Sequence, residues 1–493
     1  MPGGSLFRPG DNCWRVEKAD DFSIIIDADA YFSEIRSAMR AARHSIFLVG
    51  WDFDAGTTLG PPDVDDGAPR KVGDFILWLA AANPDLDIKI LLWSPALLAS
   101  WLRPSNFPYL LRWKWHPRIS VRLDGNHPVG SSHHEKLLVI DNEIAFCGGI
   151  DVTLDRWDTR GHLDENPMRR RPSGAPYMAW HDASSMFTGK AVNALSEICH
   201  RRWRRARGEE SSFDQPAHSS RHTTVRGFSF GPVDLAVART QPPHVDEPGV
   251  TEIERLYVDM IGAARKLIYA ESQYFASRIV AQAIARRLAE PDGPEVVLVN
   301  PLASDNWLGA IAMDTARARL RESLRRHDEH GRFRMYHPVS ATNQAIYVHS
   351  KLMIVDDDIV RVGSSNLNNR SMRFDRECDV AFEAGNREDL RMRIAALRND
   401  LLAEHLGVRV DVLVRQSEEA GSMIAVIETL RGLRKGRTLV PYETPDVSDL
   451  EKWLADNEIL DPEGPEELLE PIEKRGLFRG RLHLPHRRRK PAP

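Results

Sequence analysis

One eight-residue pattern occurs twice in this 493-residue chain, and it limits the architecture more than any other feature. His134-Glu135-Lys136-Leu137-Leu138-Val139-Ile140-Asp141 returns 215 residues later as His349-Ser350-Lys351-Leu352-Met353-Ile354-Val355-Asp356. Upstream, AARHSIFLVGWDF from Ala41 is matched by AARKLIYAESQYF from Ala263, 222 residues apart. Between these landmarks both halves follow one order. A helix-like stretch (Gly73 to Ala82; Ala281 to Ala289) leads to an apolar strand (Asp87 to Trp93; Glu295 to Asn300), then a helix, a second strand and the His-x-Lys segment. Short apolar strands alternating with amphipathic stretches predict an α/β fold. A unit of about 200 residues is too long for a solenoid repeat, so the prediction is a duplicated domain.

The predicted boundaries are a first half over 1–207, closing near the Trp203 helix, a linker over 208–250, and a second half over 251–407 with Gly407 as a helix C-cap. Asn166 to Pro176 and Gly208 to Pro216 read as surface loops. A C-terminal extension over 408–493 holds a helical stretch near Ser422 to Leu433, an acidic piece around Trp453 to Glu470 and a basic, proline-rich tail.

On a strand, side chains alternate with period two, so His134 and Lys136 project from one face, as do His349 and Lys351. Asp141 and Asp356 lie an odd seven residues after their histidines, which predicts tethers rather than reacting groups. Each pattern is followed by small residues and then a polar one: Gly148-Gly149-Ile150-Asp151 and Gly363-Ser364-Ser365-Asn366. Small side chains at Gly149 and Ser364 would let a substrate approach the backbone, and Asn366 could donate to an anion. Two histidines and two lysines converging across a pseudo-twofold suit a phosphodiester. One imidazole attacks phosphorus, the other protonates the leaving oxygen, and the ammonium groups hold the non-bridging oxygens. Metal is the competing use of histidine, but no carboxylate or cysteine cluster at ligand spacing accompanies these two, so neither metal nor cofactor is expected.

Composition narrows the substrate. A formal charge of −5 argues against a chain that holds nucleic acid by bulk charge, so no nucleic-acid partner is expected. No apolar run approaches the ~18 residues of a membrane span, and the N-terminus shows no apolar stretch behind a basic start. The expectation is a soluble monomer, cytoplasmic or peripheral to a membrane, the alternative being export by a signal-independent route.

Over residues 20 to 407 the chain resembles the phospholipase D superfamily, and within it the phosphatidylcholine-hydrolysing branch with two motifs in one chain. The resemblance is carried by His134 to Thr159, with its Gly-Gly-x-Asp and Arg-Trp-Asp, by Trp180-His181-Asp182, by Tyr269 to Phe275 and by His349 to Ser371. It implies two duplicated phospholipase-D-like β-sheet and helix halves packed about a pseudo-twofold, one active site at their interface and no metal in the chemical step. It makes His134 the nucleophile and His349 the general acid, then base. Asp158 and Glu377 are similar in position to the acidic residues that orient these imidazoles. Asp151, an anion that would repel a phosphate, is expected to pair with Lys136.

The implied substrate is a phospholipid, hydrolysed at its head-group phosphodiester, as phosphatidylcholine to phosphatidic acid and choline. Transfer to another alcohol would use the same covalent phosphohistidine. Weighed against this are a nuclease of the same superfamily, a cardiolipin-type phosphatidyl transferase and a non-enzymatic lipid-binding scaffold. Contact with a membrane surface would fall to basic runs at Arg169 to Arg171, His200 to Arg207 and Arg487 to Lys490.

Overall fold

Apolar runs of four to seven residues become strands because their branched and aromatic side chains fit a pleated, buried surface. A computed structural model describes residues 4–60, 66–94, 105–207, 225–245, 247–304, 313–433, 436–443 and 461. The first half comprises β1 (Arg15–Ile26), α1 (Ala28–Arg40), β2 (Ser45–Gly50), α2 (Val72–Ala82), β3 (Asp87–Trp93), α3 (Phe107–Lys114), β4 (Ile119–Asp124), β5 (Leu137–Ile140), β6 (Ile144–Gly148), β7 (Trp180–His181), β8 (Ala183–Thr188) and α4 (Val192–Arg205). The second comprises β9 (Phe228–Gln241), β10 (Val250–Thr251), α5 (Glu252–Ala263), β11 (Leu267–Glu271), α6 (Arg278–Leu288), β12 (Glu295–Val299), α7 (Thr315–His327), β13 (Phe333–Val339), β14 (Tyr347–Val348), β15 (Leu352–Val355), β16 (Ile359–Gly363), β17 (Glu377–Glu383) and α8 (Glu388–Leu406).

Strand order carries the duplication. Outward from the centre it reads β1-β8-β6-β5-β2-β3-β4 on one side and β9-β17-β16-β15-β11-β12-β13 on the other. β1 and β9 meet antiparallel at the seam. In each half the three outer strands are parallel, as crossover helices require. Alternate strand residues face different cores. Leu267 and Tyr269 of β11 join a cluster that also takes α4, α8 and strands of both halves, while Ile268 and Ala270 face α5 and α6. A third cluster packs α1 and α2 on the first half. The α/β class predicted from the repeat is what forms. Among the described residues, no helix is long and apolar enough to cross a membrane.

Two predicted boundaries differ. The stretch 208–250 was expected to be a linker, yet it contains the fourteen-residue β9, the partner of β1 and β17. Gly231 and Pro232 read as loop signals, but they sit beside an irregularity where the register with β1 shifts, and the strand runs on through them. The second half therefore begins by Phe228. The extension from residue 408 is also part of the fold. Its helices α9 (Val410–Ala420) and α10 (Met423–Gly432) bury Leu413 and Ile427 in the shared core, and β18 (Thr438–Pro441) pairs with β13 at the sheet edge. Asp461 accepts from the backbone N–H groups of Asn369 and Arg370. The loop at 208–216, the rest of the acidic piece at 453–470 and the basic tail lie outside the described residues.

The pattern aspartates occupy hairpin turns. Asp141-Asn142 joins β5 to β6 with φ of 52° and 53°, and Asp356-Asp357 joins β15 to β16 with φ of 55° at both, the left-handed pair that a type I′ turn needs. Asp141 accepts from the N–H groups of Arg43, His44 and Ser45, each at 2.7 Å, where β2 begins. Asp356 does the same for Arg265, Lys266 and Leu267 before β11, at 2.6, 2.7 and 2.8 Å. Both aspartates thus fix the strand beside the one that follows each histidine. Asp141→Ala and Asp356→Ala should each cost about 2 kcal/mol, a few charge-assisted hydrogen bonds less what water returns. Their effects should add, because the turns belong to different halves. Thermal unfolding of the two single variants and the double variant checks both statements.

Candidate active site

The two histidines are placed by crossed pairing between the halves. The N–H of His134 donates to the carbonyl of Arg376 at 2.9 Å, and the N–H of His349 donates to the carbonyl of His181 at 2.7 Å. The residue after each carbonyl is acidic. Glu377 therefore stands with both oxygens 3.1 Å from His134 Nδ1, and Asp182 Oδ2 is 2.7 Å from His349 Nδ1. Each half supplies one histidine and lends a carboxylate to the other. Tying Nδ1 leaves Nε2 of each ring for chemistry. Trp51 lies 6.1 Å from the His134 ring, and Trp180 lies 5.2 Å from the His349 ring and stacks on Tyr347 at 4.5 Å.

Asp158, expected to orient a catalytic imidazole, does not reach one. It is fully buried and accepts from Trp180 N–H, stands 3.0 Å from His162 Nδ1 and pairs with Arg169. Asp182 holds His349 instead. It stands directly before β8 as Glu377 stands at the head of β17, and that structural position, not distance from the pattern, fixes the role. Two further expectations change. Ser364 Oγ donates to Glu377 at 2.5 Å and its carbonyl lies 3.1 Å from His134 Nδ1, so Ser364 braces the histidine. Ser371 Oγ also donates to Glu377. A Cβ at Gly149 would fall 2.2 Å from Asp182 Oδ1, so this glycine makes room for the carboxylate.

Both lysines are buried, and each ammonium donates to the carbonyl of its own pattern histidine, Lys136 to His134 and Lys351 to His349. Their counterions differ. Lys136 pairs with Asp151 at 3.0 Å, whereas the position equivalent to Asp151 in the second half is Asn366, whose Nδ2 lies 3.5 Å from Gln273 Oε1. Burial, with Lys136 nearby and only Asp182 and Glu377 to oppose it, brings the Lys351 ammonium down to about 7. Burial first, and then the two lysines, holds both catalytic imidazoles well below the usual histidine range. Arg156 contributes to the same effect on His349, a third cation at the site that the spacing argument left without a role. Burial pushes the Glu377 carboxyl upward, against the hydroxyls of Ser364 and Ser371. His134 is thus a neutral base with its Nε2 lone pair available. An anion bound beside the lysines would offset their charge and favour a proton on either imidazole.

Beneath His349 lies a buried network that no local spacing announces, since its members come from positions 27 to 405. His181 Nε2 is 2.9 Å from Glu271, and its Nδ1 faces Glu404 at 3.2 Å and Asp27 at 3.3 Å. His162 bridges Asp158 and Glu404, and His405 reaches Glu271 at 3.0 Å. Ser350 Oγ donates to Glu271 at 2.6 Å. The donor atoms of Asp27, His162, His181 and Glu404 lie within 4.8 Å of one another, near enough to hold a cation. The sequence expectation concerned carboxylates at ligand spacing beside His134 and His349, and this cluster includes neither of them. The carboxylates of the cluster favour the imidazolium form of its histidines. Burial opposes that charge, but the surrounding carboxylates outweigh it, raising His162 to about 9 and holding His181 well above the usual histidine range. Beneath His134 the equivalent places use guanidinium groups: Arg202 binds Asp124 and Glu135, and Arg376 binds Glu247.

Within the basic runs proposed for membrane contact, several arginines form ion pairs with acidic groups, while Arg170, Arg204 and Arg207 are exposed. Arg169 is buried on Asp158, Arg171 pairs with Asp155, Arg202 is buried, and Arg201 and Arg205 share Glu247. The tail at 487–490 lies outside the described residues.

Comparison with known proteins agrees with this geometry. The family model described as Phospholipase D matches residues 318–431. Phospholipase D A of Dictyostelium discoideum is 25% identical over 448 residues, covering 75% of this chain and 33% of that protein. Phospholipase D alpha 4 of Arabidopsis thaliana is 21% identical over 534 residues, covering 85% of this chain and 68% of that protein. The chain thus spans about a third of the length of the Dictyostelium relative. The crystal structure of phosphatidylserine synthase from Haemophilus influenzae superposes with a TM-score of 0.52 at 15% identity, over 83% of this chain and 95% of that one, a likeness of fold.

The unequal counterions give a pH prediction. Lys351 must be protonated to hold an anionic phosphodiester, so kcat/KM on a monomeric substrate should fall as pH rises through about 7. Asn366→Asp supplies the missing carboxylate, raises the lysine's proton affinity and should move that alkaline limb to higher pH, at a cost in rate from repulsion of the phosphate. An alkaline limb that stays in place in the variant would count against Lys351 as its origin.

Proposed function

This chain belongs to the phospholipase D superfamily, and we propose that it hydrolyses the head-group phosphodiester of a glycerophospholipid, such as phosphatidylcholine, through a covalent phosphohistidine. The crossed pairing supports this reading most directly: two imidazoles, each with Nδ1 on a carboxylate of the other half, flank two buried lysines. The names of the relatives and the net charge of −5 favour a lipid over a nucleic-acid backbone.

The steps follow from the free ring nitrogens. Lys136 and Lys351 hold the non-bridging oxygens and disperse the charge that grows on them. His134 Nε2 gives its lone pair to phosphorus. The bond to the head-group oxygen breaks, that oxygen keeps the electron pair, and it takes a proton from His349. The carboxylate of Glu377 stabilises the charge left on His134, and Asp182 keeps His349 aligned. In the second step His349 takes a proton from water. The water oxygen bonds to phosphorus, the N–P bond breaks, and phosphatidic acid leaves. A small alcohol can replace water in this step.

His134→Ala and His349→Ala should each abolish turnover in a folded protein, because neither half-reaction proceeds with one imidazole. Ethanol should divert product from phosphatidic acid to phosphatidylethanol while head-group release continues. A chiral thiophosphate substrate should retain its configuration, the sum of two inversions, and quenching in base should trap an acid-labile phosphoprotein absent from His134→Ala. Net inversion would exclude the covalent route.

A further inference from the structure

Helix α3 is apolar on two faces, and one of them faces water. Inward, Trp113 is 1% exposed and packs against Phe53 and Tyr109. Outward, Phe107 and Leu111 are 56% and 53% exposed, and Trp115, the residue that ends the helix, is 78% exposed. The spacing of four puts these three on one stripe. Apolar groups on two faces of a helix call for two apolar phases, and among the described residues only the inward face is covered by protein.

The helix is also tied to the reacting centre. Ser105 Oγ donates to Asp54 at 2.8 Å, Asn106 Oδ1 accepts from Ala55 N–H at 2.6 Å, and Asn106 Nδ2 donates to the Phe53 carbonyl at 3.0 Å. That segment leaves β2 just beyond Trp51, whose ring faces His134. Other exposed apolar side chains stand on chain that leads into the site: Val129 five residues before His134, and Met178 two residues before Trp180.

Charge selects the second phase. From Phe107 to Leu123 the chain carries Arg112, Lys114, Arg118 and Arg122 and no carboxylate. The Lys114 ammonium lies 5.7 Å from the Trp115 ring centre, and the exposed Arg112 has Asp74 at 3.8 Å. Apolar side chains including an outward tryptophan, flanked by exposed cations, fit the boundary between lipid head groups and acyl chains. A folded partner would need a larger surface and acidic groups aligned with these cations.

We propose that the Phe107–Leu111–Trp115 face of α3, with Arg112 and Lys114, docks the enzyme on an anionic phospholipid bilayer and brings the head-group phosphodiester to His134. The inference rests on the lipid reading given above. Anionic phosphatidic acid, the product of that reaction, would strengthen the docking.

Vesicle co-sedimentation tests it, using phosphatidylcholine doped with phosphatidic acid. The variant F107S/L111S/W115S should bind at least about tenfold more weakly than wild type, a loss of buried apolar area alone. R112E/K114E should lose most of the salt-sensitive part of binding. Both variants should keep the wild-type kcat/KM on a short-chain monomeric phosphatidylcholine, which also shows that they fold. Trp115→Phe should lower the fluorescence quenching that brominated-chain vesicles cause. Unchanged vesicle binding by the triple variant, or a wild-type dimer that the triple variant abolishes, would overturn the proposal. Helix-dependent vesicle binding without turnover of any phospholipid would leave the docking standing and sink the lipid phosphodiesterase reading. Turnover of the monomeric lipid with helix-independent vesicle binding would do the reverse.

Discussion

Each reacting imidazole is held by a carboxylate from the other half, and most of the structure serves that crossing. His134 meets Glu377 and His349 meets Asp182 only because β8 and β17 deliver their leading residues across the interface, to within 2.7–3.1 Å of the rings. The central β1–β9 pair fixes the position of one half against the other, and the pattern aspartates fix the strands beside the histidines. The long ladder order, the buried lysines and the polar networks below the site all brace one arrangement of four side chains. A buried imidazole without its carboxylate would lose both its tautomer and the charge stabilisation that lets it become imidazolium.

The two halves share a fold but not a chemistry. Gly149 and Ser364 are equivalent, yet one clears space for Asp182 and the other donates to Glu377. Asp151 and Asn366 are equivalent, yet only Asp151 gives its lysine a counterion. Beneath His134 the buried cations are arginines, which never lose their charge, and beneath His349 the carboxylates hold His162 and His181 charged beside Arg169 and Arg160. The repeated strand order gives both sites one scaffold, and the departures from symmetry make the surroundings of His134 and His349 unequal.

Much of this was legible in the chain. The repeat exposed the duplicated α/β fold, and the parity of His-x-Lys put both charges on one face. The carboxylate partners were harder to read, because the interface that creates them is not a sequence distance. Asp158 lies near the first pattern and Asp182 farther on, yet Asp182 reaches the ring because the backbone of His181 is the rail on which His349 sits. The buried histidine network escaped for the same reason, its members being scattered over nearly 380 residues. Strand β9 lies within the stretch expected as a linker, and it runs through Gly231 and Pro232 beside an irregularity in its pairing with β1. The basic runs did not show which of their arginines are paired, because the acidic partners of Arg169 and Arg202 are buried and Arg202's lie far off in sequence.

The mismatch between Asp151 and Asn366 has a consequence for how a substrate enters. A phosphodiester has two ester arms, and a cleft with perfect twofold symmetry would accept it in either sense, with half of all encounters presenting the wrong arm to the proton donor. Unequal counterions make the two ends of this cleft electrically distinct. Lys136 has a carboxylate at 3.0 Å where the equivalent residue beside Lys351 is an amide, so the two ends of a bound phosphodiester would meet unequal fields. On the proposed reaction, that inequality would set which of the two P–O bonds is cut.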